Sequence, residues 1–564
     1  MFGLVCVYGV YRAIQLAWCS DDAFISFRYA KNLVDGLGLV YNAGEQVEAY
    51  TNFFWTVLVA GGMWLGIEPI IFSKVVGILF YGITAATLAF ASCRLTYRHL
   101  GSGSVVVPFA AMAALVHHDL QVYATSGLET SMVTALITIG VVTLVLARRP
   151  VHFLLAGLVL IAAVLTRPDA AIAYAMALPF VVLVGGRRCS GRHWRNVGYY
   201  LMPLIVIYLP YWLIRFDYYG YPFPNSFYAK SGSESYYSQG LIYLWLYLKA
   251  YYPLLLTPVA VTVGLWSVAR RWQERALAGS VLERAILLCT LVVLPFTVYV
   301  VRVGGDFMFA RFLIPITPLW LLLLEAAVLR FIASARIRAT VAVALAALVL
   351  LRISPIPAGE DDVHGIVNER RQYPPRLIDE ARREGEVLKK YLSSLDVSVA
   401  YYGMKAMLVY YSEVPTAHEA ASSLTDEYIA HLPLPKRGRP GHEKRMPYGY
   451  LVERDVNFIL GGTAQSNAGP ETPGVISFDG VMCQIVTYQD GVMRQLAAYP
   501  RVRFVKFPDF VYEYLAGIDT VAARRLPQDF KFFRSYYFEH NHAPRLYQRT
   551  VDAFEDAVEK PQGE

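Results

Sequence analysis

MFGLVCVYGVYRAIQLAWCSDDAFISFRYAKNLVDGLGLVYNAGEQVEAYTNFFW, residues 1–55, runs an apolar stretch from Met1 to Trp18 almost directly into two adjacent carboxylates, Asp21 and Asp22. If that stretch crosses a membrane, both acids emerge at one membrane face, where charge is costly and is kept for function. A local reading competes: Ser20, Asp21 and Asp22 cap a helix that starts at Ala23, since acids favour helix N-termini. The aromatic and basic residues that follow, through Trp55, weigh toward a site. Leu16-Ala17-Trp18-Cys19 has the outline of a lipoprotein cleavage box, but Trp beside Cys does not suit the small residues such boxes use. The first run is therefore expected to stay as a span.

Composition sets the class. Of the 564 residues 56% are hydrophobic and the mean hydropathy is +0.39, which with repeated apolar runs of spanning length indicates an integral membrane protein. The formal charge of +7 is spread unevenly. Residues 1–354 hold 26 Lys+Arg against 15 Asp+Glu, a net +11, and residues 355–564 hold 25 against 29, a net −4. The basic excess thus lies in the membrane half, where short loops orient spans, and no nucleic-acid partner is implied. Six cysteines are too scattered for a disulfide framework and show no zinc spacing.

Twelve apolar runs lie near 2–18, 52–66, 70–92, 104–118, 129–147, 152–166, 170–185, 198–214, 242–268, 284–302, 312–330 and 338–354. If all of them cross, Arg148-Arg149 and Arg187-Arg188 fall on the side of Asp21, against the positive-inside bias. Placing 52–66 in the interface, or as a re-entrant segment, moves every basic loop inside: Arg94 and Arg98, Arg148 and Arg149, Arg187 to Arg195, Arg270 to Arg275, Arg330 to Arg338. The expectation is a polytopic α-helical protein with eleven crossings and its N-terminus inside. The same parity collects Asp21-Asp22, Ser126 to Thr130, Arg167-Pro168-Asp169, Asp217 to Gln239 and Val303 to Met308 outside. After Leu351 the composition changes: 355–564 has no spanning run, and short apolar segments such as Val397 to Tyr402 and Val481 to Tyr488 alternate with Pro-Gly turns. A membrane domain, 1–354, is expected to carry a mixed α/β soluble domain, 355–564, on the outer side, with a helix over Arg376 to Leu392 linking them.

Carboxylates clustered outside, with no GxxxxGK[ST], no GxGxxG after a strand and no HExxH, leave the substrate to bring its own activation. A lipid-linked phosphosugar does so: the phosphate is the leaving group and the polyprenyl tail partitions into the bilayer. An aspartate takes the proton of an acceptor hydroxyl, and Arg or Lys holds the departing phosphate. A transporter of lipid-linked sugar would have many spans too, but its polar residues should interrupt helices at the midplane. A receptor would explain the outer domain and leave the converging membrane loops without a task.

The blocks DDAFISFRYAKNLVDGLGLVYNAGEQVEAYTNFFW (21–55), SGLET (126–130), LTRPDA (165–170), PFPNSFYAK (222–230), VRVGGDFMFARFLIP (301–315) and RGRPGHEK (437–444) resemble the terminal β-(1→2)-arabinofuranosyltransferases of mycobacterial and corynebacterial cell walls, within the wider GT-C glycosyltransferases. The resemblance covers nearly the whole chain. It implies a multi-pass GT-C enzyme of the plasma membrane whose active site and C-terminal domain face outward. It implies decaprenyl-phosphoryl-arabinofuranose as donor and arabinan ends of arabinogalactan or lipoarabinomannan as acceptor. A related transferase acting on another surface glycan or a pilin is the alternative. The family's essential aspartates map onto Asp21 and Asp22. After GGDFM the family often carries His, where this chain has Phe309.

Each further candidate has a plainer explanation beside it. Asp306 lies between glycines and Phe307, where Asp also serves as a turn former. Arg311 opens a span on the outer side, against the charge bias, which favours phosphate binding. Lys230, with Asn225 and Tyr228 in the same aromatic segment, suits a lipid phosphate, yet Lys also snorkels. No nearby acidic run is expected to neutralise Lys230 or Arg311. Arg167 and Asp169 suit a mutual pair, and Glu129 a helix-dipole partner. Glu48, Tyr50, Thr51 and Asn52 are candidates to line the acceptor groove or to anchor the interface, and His442 becomes an acceptor candidate through the resemblance alone. No cofactor is indicated; a divalent metal bridging the acids is conceivable, though two adjacent acids supply few of the oxygen ligands such ions take.

Overall fold

The computed structural model describes residues 2–559 except 185–190, 259–260, 263–265, 267–279, 358, 435, 440 and 462–469. The basic positions Arg187, Arg188 and Arg270 to Arg275 lie outside the described residues, as does Pro440 of the RGRPGHEK block. Contacts divide the chain into two units, and the division is not at residue 354. The first comprises Met1–Leu39, Tyr50–Pro374 and Lys436–Gly441; the second comprises Val40–Ala49, Pro375–Pro435 and His442–Glu564.

The first unit is helical. Its opening helices are α1 (Phe2–Gln15), α2 (Asp21–Val34), α3 (Phe53–Trp64), α4 (Pro69–Leu100), α5 (Phe109–Val116), α6 (His118–Tyr123), α7 (Thr130–Leu146) and α8 (Pro150–Thr166). α7 is buried along most of its length, between α4 and α8. Small residues let these apolar helices close up, as in membrane bundles generally: a Cβ on Gly140 would sit 2.6 Å from Leu160 Cγ, and one on Gly77 only 2.2 Å from the Ala124 carbonyl oxygen. Among the described residues four helices are long and apolar enough to cross a membrane: Pro69–Leu100, Trp194–Tyr219, Val281–Arg302 and Ile314–Phe331.

Several apolar runs fold differently from a simple span; the run at 242–268, for one, leaves its helix at Ala250 and continues as a 3-10 turn over Tyr252–Leu256. The run at 104–118 gives only the eight residues of α5 before the chain breaks at His117 and resumes in α6. Eight residues rise about 12 Å, far short of a hydrocarbon core of roughly 30 Å. Hydropathy counts 104–118 as continuous because it does not register that His117 leaves the helix to cap α6, accepting from the Leu120 N–H at 3.2 Å. The run at 52–66 gives the twelve residues of α3.

The second unit carries a six-stranded mixed sheet in the order β4-β3-β5-β7-β6-β8, once the two-stranded hairpin β1 (Asp362–Val363) and β2 (Ile366–Val367) of the first unit is counted ahead of it. Its strands are β3 (Ser398–Tyr401), β4 (Thr416–Glu419), β5 (Phe458–Leu460), β6 (Val475–Phe478), β7 (Val481–Ile485) and β8 (Val502–Phe504). β3 pairs in parallel with β4 and β5, and the other pairings are antiparallel. The expected amphipathic helix is Pro375–Leu392, which buries Leu388, Tyr391 and Leu392. The short stretch Val40–Ala49 belongs here because Asn42 brackets Ala417, donating to its carbonyl at 3.0 Å and accepting from its N–H at 2.9 Å.

Candidate active site

Asp21 and Asp22 form the first turn of α2, where the helix dipole favours acids. Ser20 occupies the cap position but its side chain makes no capping bond, so the capping reading explains the acids only through the dipole. The two differ in exposure: Asp21 is buried at 5%, whereas the Asp22 side chain is 35% exposed.

The GGDFM segment is locked from several sides. Gly304 and Gly305 take φ of +91° and +73°, and a Cβ on Gly305 would collide with Tyr243 Cγ at 2.4 Å. The Tyr243 hydroxyl donates to the Met308 carbonyl at 3.1 Å, and the Tyr123 hydroxyl to the Phe309 carbonyl at 2.7 Å. Val367 of β2 closes the other edge, its N–H on the Phe307 carbonyl at 2.8 Å and its carbonyl accepting from Phe309 N–H at 3.0 Å. Ala310 then takes a left-handed φ of +66° before Arg311. The Phe309 ring is buried beside Tyr247, with centroids 6.2 Å apart.

This loop sets Arg311 among three carboxylates from three parts of the chain. Its Nη1 lies 3.6 Å from Asp22 Oδ2 and 3.7 Å from Asp306 Oδ2, and its Nη2 lies 3.6 Å from Glu129 Oε1. The expectation that no nearby acidic run neutralises Arg311 is thereby corrected: Asp306 lies close in sequence, and Asp22 and Glu129 arrive from elsewhere. Sequence-distant loops meet in space, which a search for nearby acidic runs does not detect. Burial works against the guanidinium charge, but Glu129, Asp306 and Asp22 outweigh it and hold Arg311 firmly protonated. The contacts exceed the 2.7–2.9 Å of a tight charged hydrogen bond. Arg311 Nε and Asp306 Oδ2 are buried with no hydrogen-bond partner, so donor capacity at this centre is unspent.

Glu129 is more than the dipole partner its position suggests. It occupies the cap position of α7 without a side-chain capping bond; instead it accepts from Asn52 Nδ2 at 3.0 Å and lies 3.6 Å from Arg167 Nη1. Burial pushes its carboxyl up, yet Arg311 and Arg167 prevail and hold it below the usual range. Arg167 grips Asp169 through Nε and Nη2 at 3.1 and 2.7 Å, a bidentate pair. Asn52 is committed to the protein, its oxygen accepting from Ser26 and Thr56 hydroxyls at 3.1 Å each. That arrangement makes it a support for Glu129.

Glu369 is the site residue that sequence reasoning missed. It follows β2 and is 6% exposed. Burial and the negative charges of Asp22 and Asp306 push its carboxyl up to about 8, opposed by Arg439 and by a hydrogen bond with Tyr373. Arg439, from the RGRPGHEK block, stacks over the Phe307 ring at 4.7 Å. Nothing in Asn368-Glu369-Arg370-Arg371 marks a site; the only available signal is that the segment follows the last apolar run.

The other expected residues are distributed more widely. Lys230 is exposed, its stem passing 3.7 Å from the Cβ position of Gly441, and it makes no ion pair among the described residues. Asn225 is buried, and the Tyr228 ring meets Tyr221 at 5.9 Å. The Tyr50 ring lies against Tyr29 at 4.6 Å, its hydroxyl 3.4 Å from that of Tyr219. Glu48 and His442 belong to the second unit. Among the described residues no group of three or more His, Cys, Asp or Glu could hold a metal ion, and Arg311 supplies the positive charge between the carboxylates.

The fold has a solved counterpart. The chain resembles the crystal structure of ArnT from Cupriavidus metallidurans bound to undecaprenyl phosphate, with TM-score 0.51 and 13% identity over 75% of this chain and 86% of that one; the likeness is one of fold. More particularly, the chain is similar to the terminal β-(1→2)-arabinofuranosyltransferase of Mycobacterium tuberculosis, 28% identical over 336 residues, 55% of this chain and 52% of that protein. The protein of the same name from Corynebacterium glutamicum is 29% identical over 341 residues, 55% and 48% of the two chains. The chain therefore spans about half the length of the curated relatives it matches, and the matched region is 55% of this chain rather than the nearly whole length the sequence blocks suggest. No family model matches it.

Proposed function

We propose that this protein is a membrane glycosyltransferase that moves arabinofuranose from decaprenyl-phosphoryl-arabinofuranose to the ends of cell-wall arabinan. The observation that carries the reading is the meeting of Asp22, Glu129, Asp306 and Arg311 from three sequence-distant segments in one largely buried cluster, in a chain similar to arabinofuranosyltransferases. ArnT, whose fold it shares, binds undecaprenyl phosphate. Asp22, the more exposed acid, takes the proton from the acceptor hydroxyl as the new C1–O bond forms and the C1–O bond to phosphate breaks. Asp21 stands beside it, buried in the same first turn of α2, and Arg311 lies 3.6 Å from the Asp22 carboxylate. Arg311, with its unspent Nε–H, and Lys230 receive the departing lipid phosphate. Asp306 orients Arg311, and Asn225 and Tyr228 flank the donor. Within the first unit, Tyr50 is assigned to the acceptor, and Asn52, which donates to Glu129, to the frame of the site. We count eleven crossings with the N-terminus inside, the one at 104–118 shared by the short helices α5 and α6 in succession; on that reading this cluster and the 355–564 region lie outside the plasma membrane.

The test supplies purified protein with decaprenyl-phosphoryl-arabinofuranose and a synthetic arabinoside, followed by linkage analysis of the product. Transfer of arabinofuranose without nucleotide supports the reading. Transfer only from other lipid-phosphate sugars would replace the donor, and transfer from none would remove the enzyme assignment.

A further inference from the structure

Glu129 and Arg148 flank opposite ends of α7, nineteen residues and about 28 Å apart, close to the thickness of a hydrocarbon core. At the Arg148 end the first unit holds a groove of about 650 Å³, within the range of ligand sites. Its wall is apolar, formed by Ile83 and Ala86 on α4 and Ile139 and Val142 on α7. Its rim is basic: Arg94 and Arg98 in the last turns of α4, Arg148 after α7, and His152 in the first turn of α8. No Asp or Glu lines it among the described residues.

The spacing along α4 sorts the groove by depth. The apolar wall runs from Ile83 to Phe90, about 10 Å, and Arg94 and Arg98 follow about 6 and 12 Å beyond. That is the order of acyl chain and headgroup in one leaflet. Arg94 lies over the Phe90 ring at 5.0 Å, which holds its charge at the boundary. His152 Nδ1 accepts from the N–H groups of Arg148 and Arg149 at 3.0 and 3.4 Å, so its ring proton is on Nε2 and available as a donor. Arg284, buried beneath and donating to the Leu144 carbonyl at 2.9 Å, adds positive charge at the same end.

We propose that this groove binds one anionic phospholipid of the leaflet opposite the carboxylate cluster, its phosphodiester among Arg94, Arg98, Arg148 and His152 and an acyl chain against α4 and α7. The apolar wall selects a lipid over free phosphate. The unopposed basic rim selects an anionic headgroup over a zwitterionic one, whose own cation would meet the arginines. Basic pockets between membrane helices recognise anionic headgroups in this way.

The full chain, reconstituted in nanodiscs containing phosphatidylglycerol and phosphatidylcholine of matched chains, is released into detergent and its retained lipid counted by native mass spectrometry. The wild type should retain phosphatidylglycerol, undisturbed by added inorganic phosphate. Arg94→Gln/Arg98→Gln/Arg148→Gln should lower that retention about a hundredfold, from about 1 kcal/mol for each basic residue. Ala86→Trp, at an exposed position, keeps every charge and fills the wall, and it should also expel the lipid. Equal retention of both lipids by the wild type, or unchanged selectivity in the triple variant, would overturn the proposal. Displacement of phosphatidylglycerol by an equal amount of undecaprenyl phosphate would overturn it too and assign the groove to a polyprenyl lipid. None of these readouts depends on glycosyl transfer.

Discussion

Glu369→Gln should make the protein more resistant to alkaline unfolding, and by an amount that grows with pH in a defined window. The Glu369 carboxyl ordinarily releases its proton near 4.5, but in the folded chain it does so only at about 8. Below pH 4.5 the group is neutral whether the chain is folded or not. Between about 4.5 and 8 the folded chain keeps a proton that the unfolded chain has lost, so stability falls as pH rises through this window and is flat above it. At about 1.4 kcal/mol per pH unit the full window is worth on the order of 5 kcal/mol. That figure is a ceiling, because local opening that hydrates the carboxylate relieves part of it. Gln keeps the shape and carries no titrating proton. The measurement is thermal unfolding of both proteins in detergent from pH 5 to 9.5, taken as a difference so that other groups cancel. The gap should widen up to about pH 8 and then stop widening. Arg439→Gln, which removes a cation favouring the carboxylate, should move that end point upward. A difference independent of pH would refute the assignment of a neutral, buried acid at Glu369.

Asp22→Asn should abolish transfer, with a rate loss of about 10²–10⁴-fold at normal membrane insertion; turnover near wild type would end its role as the base. Asp21→Asn should also inactivate, and because Asp21 is buried and Asp22 only partly so, an acceptor bearing a pre-ionised nucleophile should rescue Asp22→Asn more than Asp21→Asn. Arg311→Ala leaves Asp22, Glu129 and Asp306 without their shared cation and should cost about 3–5 kcal/mol of stability. Arg311→Lys should restore most of that stability while still binding lipid-phosphate donor more weakly than acceptor; unchanged donor affinity with weakened acceptor affinity would move Arg311 to the acceptor side. For sidedness, a cysteine at Ser233 should label from outside and one at Arg149 from inside in a cysteine-free background. Both positions are exposed, whereas Ser126 is fully buried and unsuited to labelling. Labelling of both from one side would contradict eleven crossings.

Hydropathy and composition made the helical unit, the sheet-bearing region and the helix Pro375–Leu392 legible, because each follows from periodicity within one short window. What periodicity does not carry is which loops meet. Asp21, Asp22, Asp306 and Arg311 stand out in the sequence because charge at a span end is unusual. Glu129 does not, since an acid at a helix start has a routine explanation; its position between Arg167 and Arg311 exists only once three loops are assembled. Glu369 is less visible still, because its environment comes from β2 bonding to both Phe307 and Phe309, a pairing that spans some sixty residues and has no local signature. The same limit applies to Val40–Ala49, which reads as part of the first outer loop but packs with the second unit through Asn42 and Ala417. The physical consequence is an unequal pair at Asp21-Asp22. Adjacent side chains at a helix start point about 100° apart, so Asp21 is turned into the protein while Asp22 keeps about a third of its side chain exposed beside Arg311. The base is therefore a property of helix phase as much as of residue type, and insertion of one alanine before Asp21 should disturb the site more than a conservative change at Asp21 itself.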